Sequence, residues 1–251
     1  MTDNKQQNDN QEQVMPVLYK QLAPLMKDIH KDLKLVKNQN FSFVREVNAV
    51  PIVMQELAMA SKFYPIVFAS DTPGVMLAVM GIRNGQNLFI DDQGNWLENT
   101  YIPAYIRRYP FFVAKPGEDI DPVICIDEKS HTLSVDGDLP LFADGEPTED
   151  LKRAIEFTRT VQGHIEATVE FAEMMDQKGL LEEQEVTFRE GEEIRANVNG
   201  FKTLNRTKFD ELEADVLKEW LGKGWVDASI LHLSSGSNFD RLWRMAAKRQ
   251  S

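Results

Sequence analysis

The chain holds 251 residues, 42% of them hydrophobic, with 40 acids against 28 bases and a formal net charge of -12. That length allows one large domain or two small ones, and the apolar share suffices for a real core. The acidity excludes general nucleic-acid binding, which needs a basic surface to displace counterions, and gives no attraction to an anionic membrane.

Residues 1–13 are dominated by Asn, Gln and charged types with no apolar stretch, and they read as a disordered tail rather than a signal peptide. No apolar run approaches the ~20 residues that span a bilayer. A soluble, cytoplasmic protein is therefore expected. Residues 14–20, 30–36 and 41–43 are expected as strands. Residues 55–62 form helix, Tyr64-Pro65 breaks it, and 66–69 is a buried strand. Apolar runs at 74–82 and 86–90 flank Arg83-Asn84-Gly85, a strong hairpin signal because both turn positions favour positive φ. Residues 91–95 make the next turn. Residues 101–114 repeat the earlier pattern: Pro103 in a first helical turn, a stop near Tyr109 before Pro110, then a strand at 111–114. The flanks do not match, so the echo is local and not a domain repeat. Residues 123–126 and 132–135 suggest a further hairpin.

The pattern changes at residues 144–147. Thr148 can cap a helix with Glu149 and Asp150 in its first turn. Leu151, Ile155, Thr158, Val161, Ile165, Val169, Ala172 and Met175 then share one stripe, and Gly179 ends it. This helix, residues 148–178, either lies across the sheet or projects as an arm for a protein partner. A hairpin at 185–188 and 194–198 follows, with 201–204 read as its continuation. An amphipathic helix is expected at 207–221, a short apolar one at 225–233 and a last one at 238–248, capped by Asn238. The fold class is α+β. Residues 14–251 form one unit, strand-rich over 14–145 and helix-rich over 146–251.

Assembled chemistry is scarce. His30, His131, His164 and His232 show no zinc-ligand spacing, and His164 and Glu166 lie two apart on a helix, where they face different ways. No metal site or cofactor is expected. Residues 91–95 lack the alternating oxygens of a calcium loop. The phosphate-loop and nucleophile-elbow patterns are absent. Ser234 and Ser235 lie beside His232 without an acid partner and read as a polar turn. Cys125, the one cysteine, cannot form an intrachain disulfide; in the apolar run 123–126 it reads as a buried, inert thiol. No catalytic residue is assigned.

The most suggestive charges are Arg107 and Arg108, set among Tyr101, Tyr105 and Tyr109. Tyr105 and Tyr109 share a helical face. Guanidinium forks suit carboxylates or phosphates, and tyrosines add flat contacts with a polar tip. A small anionic ligand could bind here. The competing reading is an internal ion pair with Asp127 or Glu128 and tyrosines packed in the core. His30 and His232 are further pocket candidates, or structural histidines.

Residues 16–20, His30 with Leu33 and Leu35, 41–43, 48–52, 64–68, 85–89 and 101–112 resemble the opening half of the bacterial SapC family. Residues 125–128, 141–142, 145–147, 179–181, 200–201, 224–225 and 232–235 are similar to its later part. The resemblance runs from about residue 14 to about residue 245. It implies an association with surface-layer protein systems. Family members also sit beside genes for TonB-energised nutrient receptors, tryptophan halogenases and cupin-like proteins. It carries over no catalytic residues, and a peptide-transporter permease of the same name is a different, membrane-crossing protein. The expected role is a non-catalytic soluble accessory protein of a surface-layer or nutrient-uptake system, binding a protein partner or a small anionic ligand. The alternative is an enzyme or enzyme subunit acting on an amino acid or peptide. Convergence of His30, Tyr105, Arg107 and His232 on one cleft would favour the enzyme; dispersal favours binding.

Overall fold

The computed structural model describes residues 15–37, 40–115, 117 and 120–249. The expected tail at 1–13 lies outside them. In chain order come β1 (Leu22–Pro24), α1 (Lys27–His30), β2 (Lys34–Leu35), a 3₁₀ turn at Phe41–Val44, and β3 (Ala49–Pro51). A second 3₁₀ turn at Met54–Glu56 runs into α2 (Leu57–Ala60), followed by β4 (Ile66–Ala69), β5 (Met76–Val79), α3 (Ala104–Arg107), β6 (Phe111–Ala114) and β7 (Val123–Asp127). Four two-residue strands follow: β8 (Leu133–Ser134), β9 (Leu139–Pro140), β10 (Phe142–Ala143) and β11 (Glu146–Pro147). Then come α4 (Glu149–Gln177), β12 (Leu181–Glu190), β13 (Glu193–Leu204), α5 (Arg206–Asp210), α6 (Ala214–Gly222), α7 (Trp225–Ser235) and α8 (Asn238–Lys248). The α+β class is as expected.

The largest sheet has the order β12-β13-β4-β5-β3, a second the order β1-β7-β6, and a third β8-β2-β9. The strand pairs are antiparallel. The β12–β13 hairpin is longer than expected and joins the sheet only at its base, where Phe201 and Lys202 pair with Ala69 and Phe68. The later, helix-rich part of the chain thus completes the sheet begun by the earlier part. A shared apolar core runs through both, from Tyr64, Phe68 and Phe89 to Phe171, Trp220, Trp225 and Phe239.

The long helix does not project. Thr148 accepts from the Leu151 amide at 3.3 Å, and at the far end Leu180 N reaches Met175 O while Gly179, at φ 65°, lets the chain turn away. Between these ends Phe171 and Met175 enter the core. Thr168 Oγ1 accepts from Met54 N at 3.0 Å, which holds α4 against the turn before α2. The buried face includes Thr168 and Phe171 rather than the expected Ile165 and Val169.

Several expected elements take another form. Residues 16–20 are a turn, with Leu18 at φ 81°, and not a strand. His30 ends a helical turn. Residues 41–44 coil into a 3₁₀ turn because Asn40 accepts from Ser42 N and Phe41 N donates to Gly94 O. A Cβ on Gly94 would stand 2.3 Å from the Asn40 side chain. The Asn-Gly hairpin fails beyond Leu88 N to Met80 O, since the 87–90 backbone pairs with the Arg45 carbonyl, the Leu97 amide and side chains instead. Asn87 accepts from Phe89 N, and Arg249 donates to the carbonyls of Asn87, Leu88 and Ile90. The 207–221 helix is split where Asp210, Glu211, Glu213 and Asp215 crowd like charges together. Asn238 is not a cap. It turns inward and donates to Ser61 O and Tyr64 O, carbonyls that follow α2.

Both Tyr-Pro breaks hold: α2 and α3 end before them, and β4 and β6 begin after them. They are joined through Glu56, which is 7% exposed. Its Oε1 accepts from Ala104 N at 2.6 Å and Tyr101 Oη at 2.7 Å, and its Oε2 accepts from Val53 N at 3.4 Å. Tyr64 Oη in turn donates to Tyr101 O. Replacing Glu56 by Ala strands two buried donors, so a loss of about 3 kcal/mol is expected in urea denaturation, with Glu56→Gln losing less.

Candidate functional site

The site is built by the segment that links α3 to β6. Pro103, at φ -53°, precedes a single helical turn. Consecutive residues on such a turn diverge by about 100°, so Arg107 and Arg108 point to different surroundings. Arg107 faces outward. Its Nε donates to Ile102 O at 3.0 Å and its Nη2 to Tyr101 Oη at 3.0 Å, it lies 3.9 Å from Glu56, and it covers the Phe157 ring at 5.0 Å. Arg108 faces inward and is 2% exposed. Its guanidinium packs on the rings of Tyr105, at 4.6 Å, and Phe112, at 4.8 Å.

The two rings supply the attraction a cation finds over an aromatic face, and the Tyr19 and Tyr105 hydroxyls lie close enough to Arg108 to interact with it, but neither hydroxyl carries a negative charge. Among the described residues, Arg108 Nε and Nη1 are buried without a close hydrogen-bond partner. The ion pair with Asp127 or Glu128 is not formed. Asp127, fully buried, accepts from Lys20 N, Gln21 N, Tyr109 Oη and Lys129 N. Glu128 faces His30 and Gln21. Nor can the neighbouring phenols ionise to compensate. Burial pushes the Tyr19 and Tyr105 hydroxyls up, against the opposing pull of Arg108. Burial likewise raises Tyr101 and Tyr109 to about 12.

Arg108 lines a cavity of about 670 Å³, within the range of small-molecule sites. The cavity lies between β3, β5, β6 and the inner edge of α4. Its walls are mainly aliphatic, with Ile52, Met76, Leu77, Val113, Ile165 and Val169 contributing. Gly74, at φ 82°, lets the 71–75 turn close against α4; a Cβ there would stand 3.0 Å from Val169 Cγ1. Polar groups are few. Gln162 also lines the cavity, and Lys115 and Asp71 are exposed lining residues. A flat cation packed on two rings beside a mainly apolar cavity can hold an anion that brings its own apolar body.

The family model of SapC matches residues 25–242. The chain belongs to the SapC family. No curated protein and no solved structure matches it.

Of the six candidate residues in this SapC chain, the structure brings Tyr105 and Arg108 together at the cavity and places the others elsewhere. Tyr109 stacks on Phe43 at 4.6 Å and donates to Asp127. His30 accepts from Met26 N through Nδ1 at 3.0 Å and faces Glu128 through Nε2 at 3.4 Å, which fastens α1 to the turn after β7. His232 lies in the core against Phe68, 4.9 Å between ring centres, and its Nε2 accepts from Leu204 N. Ser234 and Ser235 belong to α7 rather than to a turn; Ser235 Oγ donates to the His232 carbonyl and accepts from Ile66 N. Cys125 is buried in β7, and burial raises its thiol. Among the described residues no group of three or more His, Cys, Asp or Glu is arranged to hold a metal ion, and no helix is long and apolar enough to cross a membrane.

Sequence reasoning missed Gln162, Ile165 and Val169 as site residues. Ile165 and Val169 carried the right signal, apolar spacing on a long helix, but that signal is shared with ordinary core positions.

Two outcomes follow. A buried cation without a counterion adds little to stability, so Arg108→Met should melt at or above the wild-type temperature in calorimetry. Burial lowers His232 from its usual 6.5 to about 4. Between those values the unfolded imidazole is protonated while the folded one is not. Stability is therefore full above pH 6.5 and falls by about 3 kcal/mol as pH drops to about 4. Urea titrations should show this loss in the wild type and its absence in His232→Gln, which keeps an acceptor for Leu204 N.

Proposed function

We propose that this SapC protein is a non-catalytic accessory protein that binds a small anionic ligand in the cavity beside Arg108. The observation that carries this reading is the buried guanidinium, without a counterion among the described residues, at the wall of an apolar cavity. A protein that gained only stability from this position would do as well with methionine or leucine. His30, Arg107 and His232 stand away from the cavity, each engaged in local structural contacts. This dispersal supports binding over an enzyme acting on an amino acid or peptide.

The working context is a surface-layer or nutrient-uptake system, and the compartment is the cytoplasm; family membership and the lack of a membrane-crossing helix among the described residues support this setting. The outward face of α4, with Lys152, Arg153, Glu156 and Arg159 exposed, is the surface offered to a protein partner.

Native mass spectrometry of protein purified from its own cells should show a small acid retained by the wild type and lost in Arg108→Met. Turnover of any amino acid or peptide that depends on Arg107, His30 or His232 would overturn the proposal.

A further inference from the structure

With the cavity taken as the anion site proposed above, we infer that its ligand is a monocarboxylate with an apolar body, bound head-first against Arg108. Three features of the site select this class over phosphate and sulfate groups.

The first is direction. The Tyr105 and Phe112 rings already lie against the Arg108 guanidinium. A ligand therefore meets the edge of the group, where the N–H donors lie in one plane. A planar carboxylate satisfies donors in that plane with both of its oxygens. A tetrahedral oxyanion carries further oxygens out of the plane, toward ring faces and aliphatic walls that offer no donors, and each such buried acceptor is costly.

The second is charge. The enclosed part of the site holds one cation. Lys115 is exposed, and Asp71, also exposed, adds a negative charge to the lining. One negative charge is neutralised at Arg108. A second would be buried beside aliphatic side chains without a partner.

The third is the body. Ile52, Met76, Leu77, Val113, Ile165 and Val169 offer aliphatic surface over a cavity far larger than a bare carboxylate. Gln162, whose side chain makes no hydrogen bond to the described residues, is the polar group left for a second contact. An apolar tail gains from leaving water roughly in proportion to the area it buries. An inorganic anion gains nothing there.

The test is isothermal titration calorimetry of the full chain with decanoate, decyl phosphate, decylamine, acetate and inorganic phosphate, all below micelle-forming concentrations. Decanoate should bind at one site, about tenfold or more tighter than decyl phosphate and about a hundredfold or more tighter than acetate. Arg108→Met should weaken decanoate by about a hundredfold while remaining folded by circular dichroism. Ile165→Trp, which fills the cavity and leaves Arg108 in place, should abolish decanoate binding independently.

Tighter binding of decyl phosphate or inorganic phosphate than of decanoate, still dependent on Arg108, would overturn the carboxylate assignment and leave the anion site standing. Binding of none of the anions, or equal binding of decanoate by wild type and Arg108→Met, would overturn the anion site itself. Decylamine binding as tightly as decanoate would do the same.

Discussion

The carboxylate of Glu56 is the interaction on which the arrangement of the site depends. It sits where the 3₁₀ turn enters α2, and it grips the first amide of α3, the hydroxyl of Tyr101 and the amide of Val53. A helix of one turn cannot hold its own direction, because its end groups outnumber its internal hydrogen bonds. Glu56 supplies the missing anchor. With the start of α3 fixed, the next residues have no freedom in where they point. Arg107 falls on the Glu56 side, and Arg108 turns away from it, against two rings. A neighbouring pair of like residues is thereby given unlike tasks, one tying the surface together and one facing a cavity.

Arg108 runs against the usual economy of a protein interior. Buried charges are ordinarily paired and hydrogen-bonded, and an orphaned one is a recurrent mark of a place shaped for something else. The structure shows how this one is tolerated. Two aromatic rings replace part of the lost hydration, and the cavity leaves room for a further molecule. The surrounding phenols stay neutral, so the local field remains positive. Other buried polar groups in the neighbourhood are saturated by contrast, Asp127 with four donors and Glu56 with three. The difference sets Arg108 apart from the buried polar groups that hold the fold together and is the ground of the binding role proposed for it.

How much of this could be read from the chain varies with the range of the forces involved. The long helix, its Thr148 cap and its Gly179 stop were legible, because capping and glycine stops act within a few residues. Both Tyr-Pro breaks were legible for the same reason. The strand expected at 41–43 and the hairpin around Asn84-Gly85 were not, because groups far off in sequence, Gly94 and Arg249, decide them. At the site, the pair Arg107 and Arg108 stood out as cations in an acidic chain, yet nothing local told the two apart. The aliphatic walls contributed by β5 and α4 read as ordinary core. His30 and His232 drew notice through the family resemblance and turned out to fasten backbone amides. Convergence of distant segments on one space is a property of the fold and leaves no mark in spacing.

The order of the five-stranded sheet bears on how its margins meet other molecules. A sheet that ends in an open strand invites a second molecule to add to it. At one border lies β12, where Glu182, Glu183, Glu185 and Glu190 would set carboxylates against those of any newcomer docking on the same strand. At the other lies β3, three residues long and closed by Pro51, which has no N–H to offer. One margin repels and the other gives no foothold, so the sheet resists growing into a fibre from either side.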